Sequence, residues 1–336
     1  MKPLVTISFI HYSEVGGYST IHHIRPFLES IFAQTYRNIE VFCVENASND
    51  LRYKEILAEF PKVTLIKLPK NLGTCAHNVV ISKAKGEFVW CTTLDTRYEP
   101  NYLEKLVASA EKLPDGASFG GTLFRMNSDT LEKTDEIDTQ GILATKAHQF
   151  HERNTRLHIK QENLIEHPVS VFAISGATVL YRKSALDSIK YEDGTHFDET
   201  FFMYKEDIDV GYRLLWQGWK NYCIPNVIGY HVRSVVEKNI AINKTTSSML
   251  NRFNKSDFGA TLSYRNHLYL LYKNYSRDYP SLILFLTGFY FLGRIMFAFV
   301  FEPRLRKAYG EFNENSKTLR ISPKKITGKA MAQYFE

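Results

Sequence analysis

A chain of 336 residues is long enough for about two domains, and its 44% hydrophobic and 23% charged content excludes wholesale disorder and collagen-like or low-complexity architectures. Its four cysteines (Cys43, Cys75, Cys91 and Cys223) show neither CxxC pairing nor metal-site spacing, and Met1–Ile10 is too short for a signal peptide. Free thiols in a cytosolic-facing, reducing compartment are expected. The net charge of +6 is unevenly spread: residues from Ala241 onward carry 15 basic and 6 acidic groups, the first 240 carry 27 and 30.

In chain order, Leu4–His11 is a short β-rich run, Phe27–Gln34 has helical spacing, and Ile39–Glu45 is again β-rich. Leu51–Phe60 reads as helix, Val63–Leu68 as strand, Cys75–Ala84 as helix, Glu87–Leu94 as strand and Tyr102–Glu111 as helix. Strands alternating with helices of about ten residues predict a parallel sheet covered on both faces. Ligands bind such sheets beyond the carboxyl ends of the strands, which draws attention to His11–Ser13, Glu45–Asp50, Asn71–Gly73 and Asp95. No GxGxxG follows the first strand and no GxxxxGK[ST] occurs, so neither a dinucleotide fold nor a P-loop is supported. Residues 125–170 are polar and weakly patterned and read as a long excursion. Ser170–Leu180 is strand-like, Glu206–Gln217 helical, and Tyr222–His231 a strand ending in histidine.

Near the C-terminus, Tyr279–Phe301 is almost wholly apolar and is followed by Arg304, Arg306 and Lys307. Arg294 divides it into 13 residues and seven, short of a clean span of roughly 20. A membrane-seated helix with basic flanks is expected, and a buried bundle or dimer-interface helix is the alternative. A basic tail suggests an anionic partner. The apolar run favours a membrane face and argues against nucleic acid.

Several segments carry a resemblance. Glu45-Asn46-Ala47-Ser48-Asn49-Asp50 after a strand resembles the V-D-N-x-S-x-D signature of family 2 glycosyltransferases of the GT-A fold. Phe27–Tyr36 resembles the preceding helix, Asn71-Leu72-Gly73 with Asn78 the N-L-G-x-x-x-x-N segment, and Thr93-Leu94-Asp95 the D-x-D position. Phe197–Asp207 resembles the F-D-E-x-F-F-x-Y-x-E-D block, with His231 downstream. The likeness covers about residues 3–235, continues weakly through Tyr264-Arg265-Asn266, and is strongest to the bacterial rhamnosyl- and galactofuranosyltransferase-like branch.

The resemblance implies an α/β GT-A fold with a mostly parallel central sheet and a catalytic domain over 1–240, and the charge count and apolar run give a basic, partly hydrophobic helical region over 241–336. It implies an inverting transfer from a nucleoside-diphosphate sugar to a hydroxyl of a glycan or lipid-linked glycan. A divalent metal, Mg²⁺ or Mn²⁺, would neutralise the departing diphosphate; both favour oxygen ligands and Mn²⁺ also accepts imidazole. Asp95 and His231 are the implied ligands. His11, Glu45, Asn46, Asn71, Thr93 and Asp95 are the implied nucleotide-sugar contacts. Asp207 is the implied general base, with Glu206 beside it.

Other readings stay open at this point. Glu206 and Asp207 open a helix, where acids complement the helix dipole whatever their chemistry. Asn46 and Asn71 suit turns, Asp209 and Arg213 an i,i+4 surface pair, and His22 and His23 have no assigned role. Thr93 replaces the acid usual two residues before the metal-binding aspartate, and Glu45 is one methylene longer than the usual aspartate. Thr93 gives some support to a catalytically silent sugar-nucleotide-binding or scaffold protein of a polysaccharide assembly complex. A nucleotidyltransferase would want a basic residue in the loop Val15-Gly16-Gly17-Tyr18, which has none. The expected location is the cytoplasmic face of the membrane, peripherally held, with a homo-oligomer possible.

Overall fold

The computed structural model describes residues 2–127, 130–232 and 257–336. A boundary near residue 240 lies outside the described residues.

Four strands, β1 (Val5–His11), β2 (Ile39–Glu45), β3 (Val63–Lys67) and β4 (Phe88–Thr92), form a parallel half-sheet in the order β3-β2-β1-β4. Helices α1 (Ile21–Phe32), α2 (Tyr53–Ala58) and α3 (Asn78–Ile81) connect them. Burial on both faces follows from the pattern of β4. Phe88 and Trp90 enter a core with Phe9, Phe27 and Leu106, while Val89 and Cys91 face a second core with Val179, Val210 and Leu214.

Beyond β4 the sheet becomes mixed. After β5 (Thr96–Tyr98) and α4 (Tyr102–Lys112) come β6 (Gly116–Met126), β7 (Lys133–Thr139), β8 (Ile142–Ala144), β9 (Phe150–Glu152), β10 (Val169–Val171), β11 (Thr178–Arg182), α5 (Lys183–Asp187), α6 (Glu206–Trp216) and β12 (Lys220–His231). Strand β11 runs antiparallel between β4 and β6, and β12 is parallel to β6. The carboxyl ends of β1, β2, β4 and β12 therefore share one edge, where the amino end of β11 also emerges. This alignment gathers distant polar residues.

Some segments differ from their sequence patterns. The helix expected over Cys75–Ala84 is a 3₁₀ turn, Gly73–His77, followed by the single turn of α3. Asn78 is the reason: its side chain accepts from the N–H groups of His196 and Phe197 and donates to the Phe197 carbonyl, tying this segment to a distant loop. The single run expected over Ser170–Leu180 divides into β10 and β11. The excursion over 125–170 contributes β7 to the main sheet and the small β8–β9 pair. Asp209 and Arg213 are not a surface pair. Both are buried, 2.9 Å apart, with Lys273 3.0 Å from Asp209 and 2.6 Å from Asp198. Helix α6 is enclosed on all sides, so even its polar face needs partners inside the protein.

The C-terminal residues supply part of that enclosure. Tyr269, Tyr279, Ile283, Leu319, Met331 and Phe335 share a core with Phe172, Phe201, Ile208, Tyr212 and Trp216. Helix Asp257–Asn274 packs on α6, and helix Ser281–Val300 buries only Ile283, Thr287 and Ala298. The second of these matches the expected apolar element and is long and apolar enough to cross a membrane.

Candidate active site

The shared strand edge brings together candidates from five segments. His11 and Glu45 end β1 and β2 and lie side by side in register. His11 is buried; its Nδ1 contacts the Thr20 hydroxyl at 3.1 Å, and its Nε2 has no partner among the described residues. Burial lowers its pKa to about 4 against the opposing pull of Asp50, so the imidazole is neutral. The Glu45 carboxylate turns the chain locally by accepting the N–H of Ser48.

Asn46 and Asn71 are paired. Asn46 Nδ2 donates to Asn71 Oδ1 at 2.8 Å and to the Gly73 carbonyl at 3.1 Å, while its Oδ1 accepts the Leu72 N–H at 2.9 Å. They thereby fasten the loop after β2 to the loop after β3. Gly73 has φ +60°, and a Cβ there would fall 2.1 Å from the Phe202 carbonyl oxygen. That carbonyl also accepts the Thr74 N–H at 2.9 Å. The glycine is required by close backbone approach to the 197–207 segment.

At the end of β4, the Thr93 N–H and hydroxyl both donate to the Ala177 carbonyl, at 3.0 and 3.3 Å. Two residues on, Asp95 Oδ2 lies 3.4 Å from His231 Nε2. The other ring nitrogen of His231, Nδ1, is 2.9 Å from Asp138 Oδ2. Burial works against the imidazolium, but Asp95 and then Asp138 outweigh it and raise the His231 pKa to about 10.

Asp138, in contact with His231, is not among the residues that the sequence singled out. It sits on β7, within the excursion, where one apolar residue, Ile137, is too little alternation to announce a strand. His23 was also left without a role. It is buried, its Nδ1 has no partner among the described residues, and burial followed by the neighbouring His22 lowers its pKa to about 4, with Asp95, Arg97 and His231 exerting smaller influences.

Helix α6 presents the last two candidates. Asp207 accepts the Gly176 N–H at Oδ2 and the Ile208 N–H at Oδ1, both at 2.8 Å. Gly176 adjoins Ala177, the partner of Thr93, so the two ends of the site touch through one short loop. Burial raises the Asp207 pKa, opposed by the two N–H donors and Lys205. Glu206 points inward, and burial together with the Asp207 charge pushes it well above the usual carboxylate range. The turn leading in is strained. Phe202, Tyr204 and Lys205 all have positive φ, at 60°, 72° and 69°. Asn266 holds it, its Nδ2 lying 2.8 Å from each of the carbonyl oxygens of Phe201, Met203 and Tyr204.

Asp95 and His231 offer one carboxylate oxygen and one imidazole nitrogen, and Asp138 fixes the ring through its other nitrogen. Among the described residues no group of three His, Cys, Asp or Glu side chains is placed to hold a metal ion. Asp95 Oδ2 and His231 Nε2 are the atoms that would hold a divalent ion here.

Comparison with known proteins accords with this geometry. Residues 18–190 match the family model "Glycosyl transferase family 2". The chain is 26% identical over 229 residues to the Mycobacterium tuberculosis N-acetylglucosaminyl-diphospho-decaprenol L-rhamnosyltransferase, covering 64% of this chain and 73% of that one. It is also 26% identical over 213 residues to the Staphylococcus epidermidis poly-beta-1,6-N-acetyl-D-glucosamine synthase, covering 62% and 45%. Among solved structures, GalNAc-T7 with UDP, GalNAc and Mn²⁺ superposes with a TM-score of 0.57 at 16% identity, over 81% of this chain and 48% of that one. The mannosyltransferase PcManGT from Pyrobaculum calidifontis, in complex with GDP-Man and Mn²⁺, gives 0.52 at 15% identity, over 96% and 77%. These structures share the GT-A fold with it, and the chain belongs to glycosyl transferase family 2.

Proposed function

We propose that this glycosyltransferase moves a sugar from a nucleoside-diphosphate sugar to a hydroxyl of a glycan or lipid-linked glycan, with inversion. The observation that carries the reading is the single strand edge that brings together two sets of contacts, Asp207 on Gly176 beside the Ala177–Thr93 bond, and Asp95 with His231 and Asp138.

Asp95 and His231 would hold a divalent ion, which when bound supplies Lewis-acid neutralisation of the departing diphosphate. Asp138 orients the imidazole for that contact. His11, uncharged and with Nε2 available, and Glu45 beside it receive the nucleoside. Asn46 and Asn71 shape that pocket through their mutual bond, and Thr93 adds a neutral hydroxyl. Asp207 takes the acceptor hydroxyl's proton as the oxygen attacks the anomeric carbon from the side opposite the diphosphate. Its burial makes it a better base than an exposed carboxylate. Inversion follows from one in-line displacement without a covalent enzyme intermediate. Glu206 stays protonated beneath it and lends no competing charge.

The mycobacterial relative's name supports a lipid-linked acceptor, the apolar helix supports peripheral attachment to a membrane on its cytoplasmic side, and the two structural neighbours with Mn²⁺ support the ion. Residues 1–240 would carry donor and catalyst, and residues 241–336 the membrane contact and part of the core. A thermal-shift panel of nucleoside diphosphates and their sugars, with and without Mn²⁺, tests the reading. A metal-dependent rise in melting temperature with one nucleotide is expected, together with slow release of nucleoside diphosphate from the matching sugar donor. No shift with any nucleotide would overturn the proposal, and a shift without hydrolysis or transfer would reduce the chain to a binder.

A further inference from the structure

The segment between β10 and β11 runs along one face of α6, on which Asp207 and Gly211 lie one turn apart. A Cβ at Gly211 would fall 2.5 Å from the Ala173 Cβ. Asn221 Nδ2 lies 2.7 Å from the Phe172 carbonyl oxygen and 3.3 Å from that of Gly211, and so ties the segment to the helix. A little further on, the Thr178 N–H donates to the Ser175 carbonyl at 3.1 Å and closes a β-turn. Such a turn uses the carbonyl of its first residue and the N–H of its last, which leaves the N–H of the second and the carbonyl of the third for other partners. Here the two groups serve different parts of the site. The Gly176 N–H goes to Asp207 Oδ2 at 2.8 Å. The Ala177 carbonyl takes the N–H and hydroxyl of Thr93, at 3.0 and 3.3 Å.

Gly176 does not need to be glycine for its conformation, because its φ lies outside the left-handed region. What it needs is room: a Cβ there would lie 3.3 Å from both Cβ and Oδ2 of Asp207. The other carboxylate oxygen accepts the Ile208 N–H, which belongs to the same helix and moves with it. The hold from outside α6 is the one that Gly176 provides. We infer that Gly176 is a positioning residue for the transfer: its bare Cα and its N–H fix the Asp207 carboxylate against the turn that also grips Thr93, so base and donor-side strand end keep one spacing. Gly176 touches no substrate; the proton of the attacking hydroxyl goes to Asp207, and Gly176 acts through it. The inference rests on the reading of Asp207 as general base and adds the residue that aims it.

The test uses the full chain with water as the acceptor. Single-turnover hydrolysis is followed in Mn²⁺ for whichever of UDP-glucose, UDP-N-acetylglucosamine, GDP-mannose and dTDP-rhamnose the wild type cleaves fastest. Gly176→Ala crowds the carboxylate and should slow hydrolysis at saturating donor by roughly tenfold or more, with donor affinity unchanged. Glycolic acid at position 176 turns the amide into an ester, which deletes the N–H and adds no bulk; this variant decides if Gly176→Ala fails to fold, as judged by its melting curve. The Gly176 N–H draws the Asp207 pKa down, so losing it lets that pKa rise and moves the acid limb of the pH–rate profile to higher pH. Glu206, Lys205 and, from β11, Tyr181 also face Asp207. All three stay as they are in both variants, and the same displacement in a Glu206→Gln background assigns it to Asp207. A purely structural role predicts a lower melting temperature with the acid limb in place. An unmoved acid limb, or a normal rate in folded protein, overturns the inference and leaves the transferase reading standing. A wild type that cleaves none of these donors would defeat the general-base reading and this inference together.

Discussion

At the residue scale, two aspartates one half-turn apart on α6 have opposite fates. Asp209 is neutralised inside the protein by Arg213 and Lys273, whereas Asp207 accepts the N–H groups of Gly176 and Ile208. Asp207→Asn preserves size but cannot accept a proton at neutral pH, so single-turnover transfer should fall by roughly 10² to 10⁴ with nucleotide affinity unchanged. If the acid merely complements the helix dipole, the variant will lose about 1 kcal/mol or less of stability and transfer at the normal rate. Glu206 makes a separate prediction through pH. Its folded pKa is raised by burial and by Asp207, so the unfolded chain ionises first as pH rises past the ordinary glutamate value. Stability is then lost progressively through the window above that value. Glu206→Gln should therefore raise the melting temperature more at pH 8 than at pH 5, and an equal change at both would refute the buried, raised carboxyl. Asp95, Asp207 and His231 were readable as candidates because each lies near the end of a strand or the start of a helix within a motif. Asp138 was not, because its place depends on β7 joining β6 across a polar excursion. Asp138→Ala should weaken Mn²⁺-dependent nucleotide binding by roughly 10- to 100-fold, measured by calorimetry.

At the element scale, the turn before α6 is costly to hold. Three non-glycine residues with positive φ each carry a penalty, and helix Asp257–Asn274 offsets it. Asn266 gathers three carbonyls, Arg265 reaches those of Thr200 and Phe201, and Lys273 pairs with Asp198. The sequence block Phe197–Asp207 was recognisable as a unit. Its supports were not, because Asn266 and Lys273 are some 60 to 75 residues away and have no local pattern. The alternating strands and helices were readable where each buries its own periodic face. Where side chains such as Asn78 serve distant backbone instead, as in the segment expected to be a helix over Cys75–Ala84, periodicity misleads. Asn266→Ala should leave the three carbonyls short of a donor and cost about 1–3 kcal/mol. If the turn aims Asp207, the single-turnover rate should also drop by roughly 10²-fold without a change in nucleotide affinity. A lower melting temperature with normal turnover per folded molecule would restrict Asn266 to a structural role.

At the scale of the whole molecule, the C-terminal residues face two ways. Tyr269, Tyr279, Leu319, Met331 and Phe335 complete the core around α6, so a truncation near residue 240 would remove core as well as surface and could not isolate membrane contact. The exposed side of helix Ser281–Val300 can be tested by itself. Phe285, Phe289, Leu292 and Met296 are each 62–71% exposed, a contiguous apolar surface of the kind that marks an interaction site. The length and composition of this helix were legible in the sequence; which side it buries was not, since apolar residues run all round it and only packing chooses Ile283, Thr287 and Ala298. Two occupants are open to such a surface, a bilayer or a second copy of the chain, and they differ in their response to salt and lipid. If the helix seats in a membrane interface, with the basic residues after it adding attraction to anionic headgroups, the full chain should sediment with anionic liposomes at low salt. A fraction should persist in 1 M salt, where the Debye length is about 3 Å and only apolar insertion remains. Replacing Phe285, Phe289, Leu292 and Met296 together by glutamate should abolish sedimentation while leaving the melting temperature nearly unchanged, because none of the four is in the core. Sedimentation equilibrium on the same pair of proteins decides the alternative: a dimer that the four glutamates dissociate, in a chain that ignores liposomes, would assign this surface to self-association.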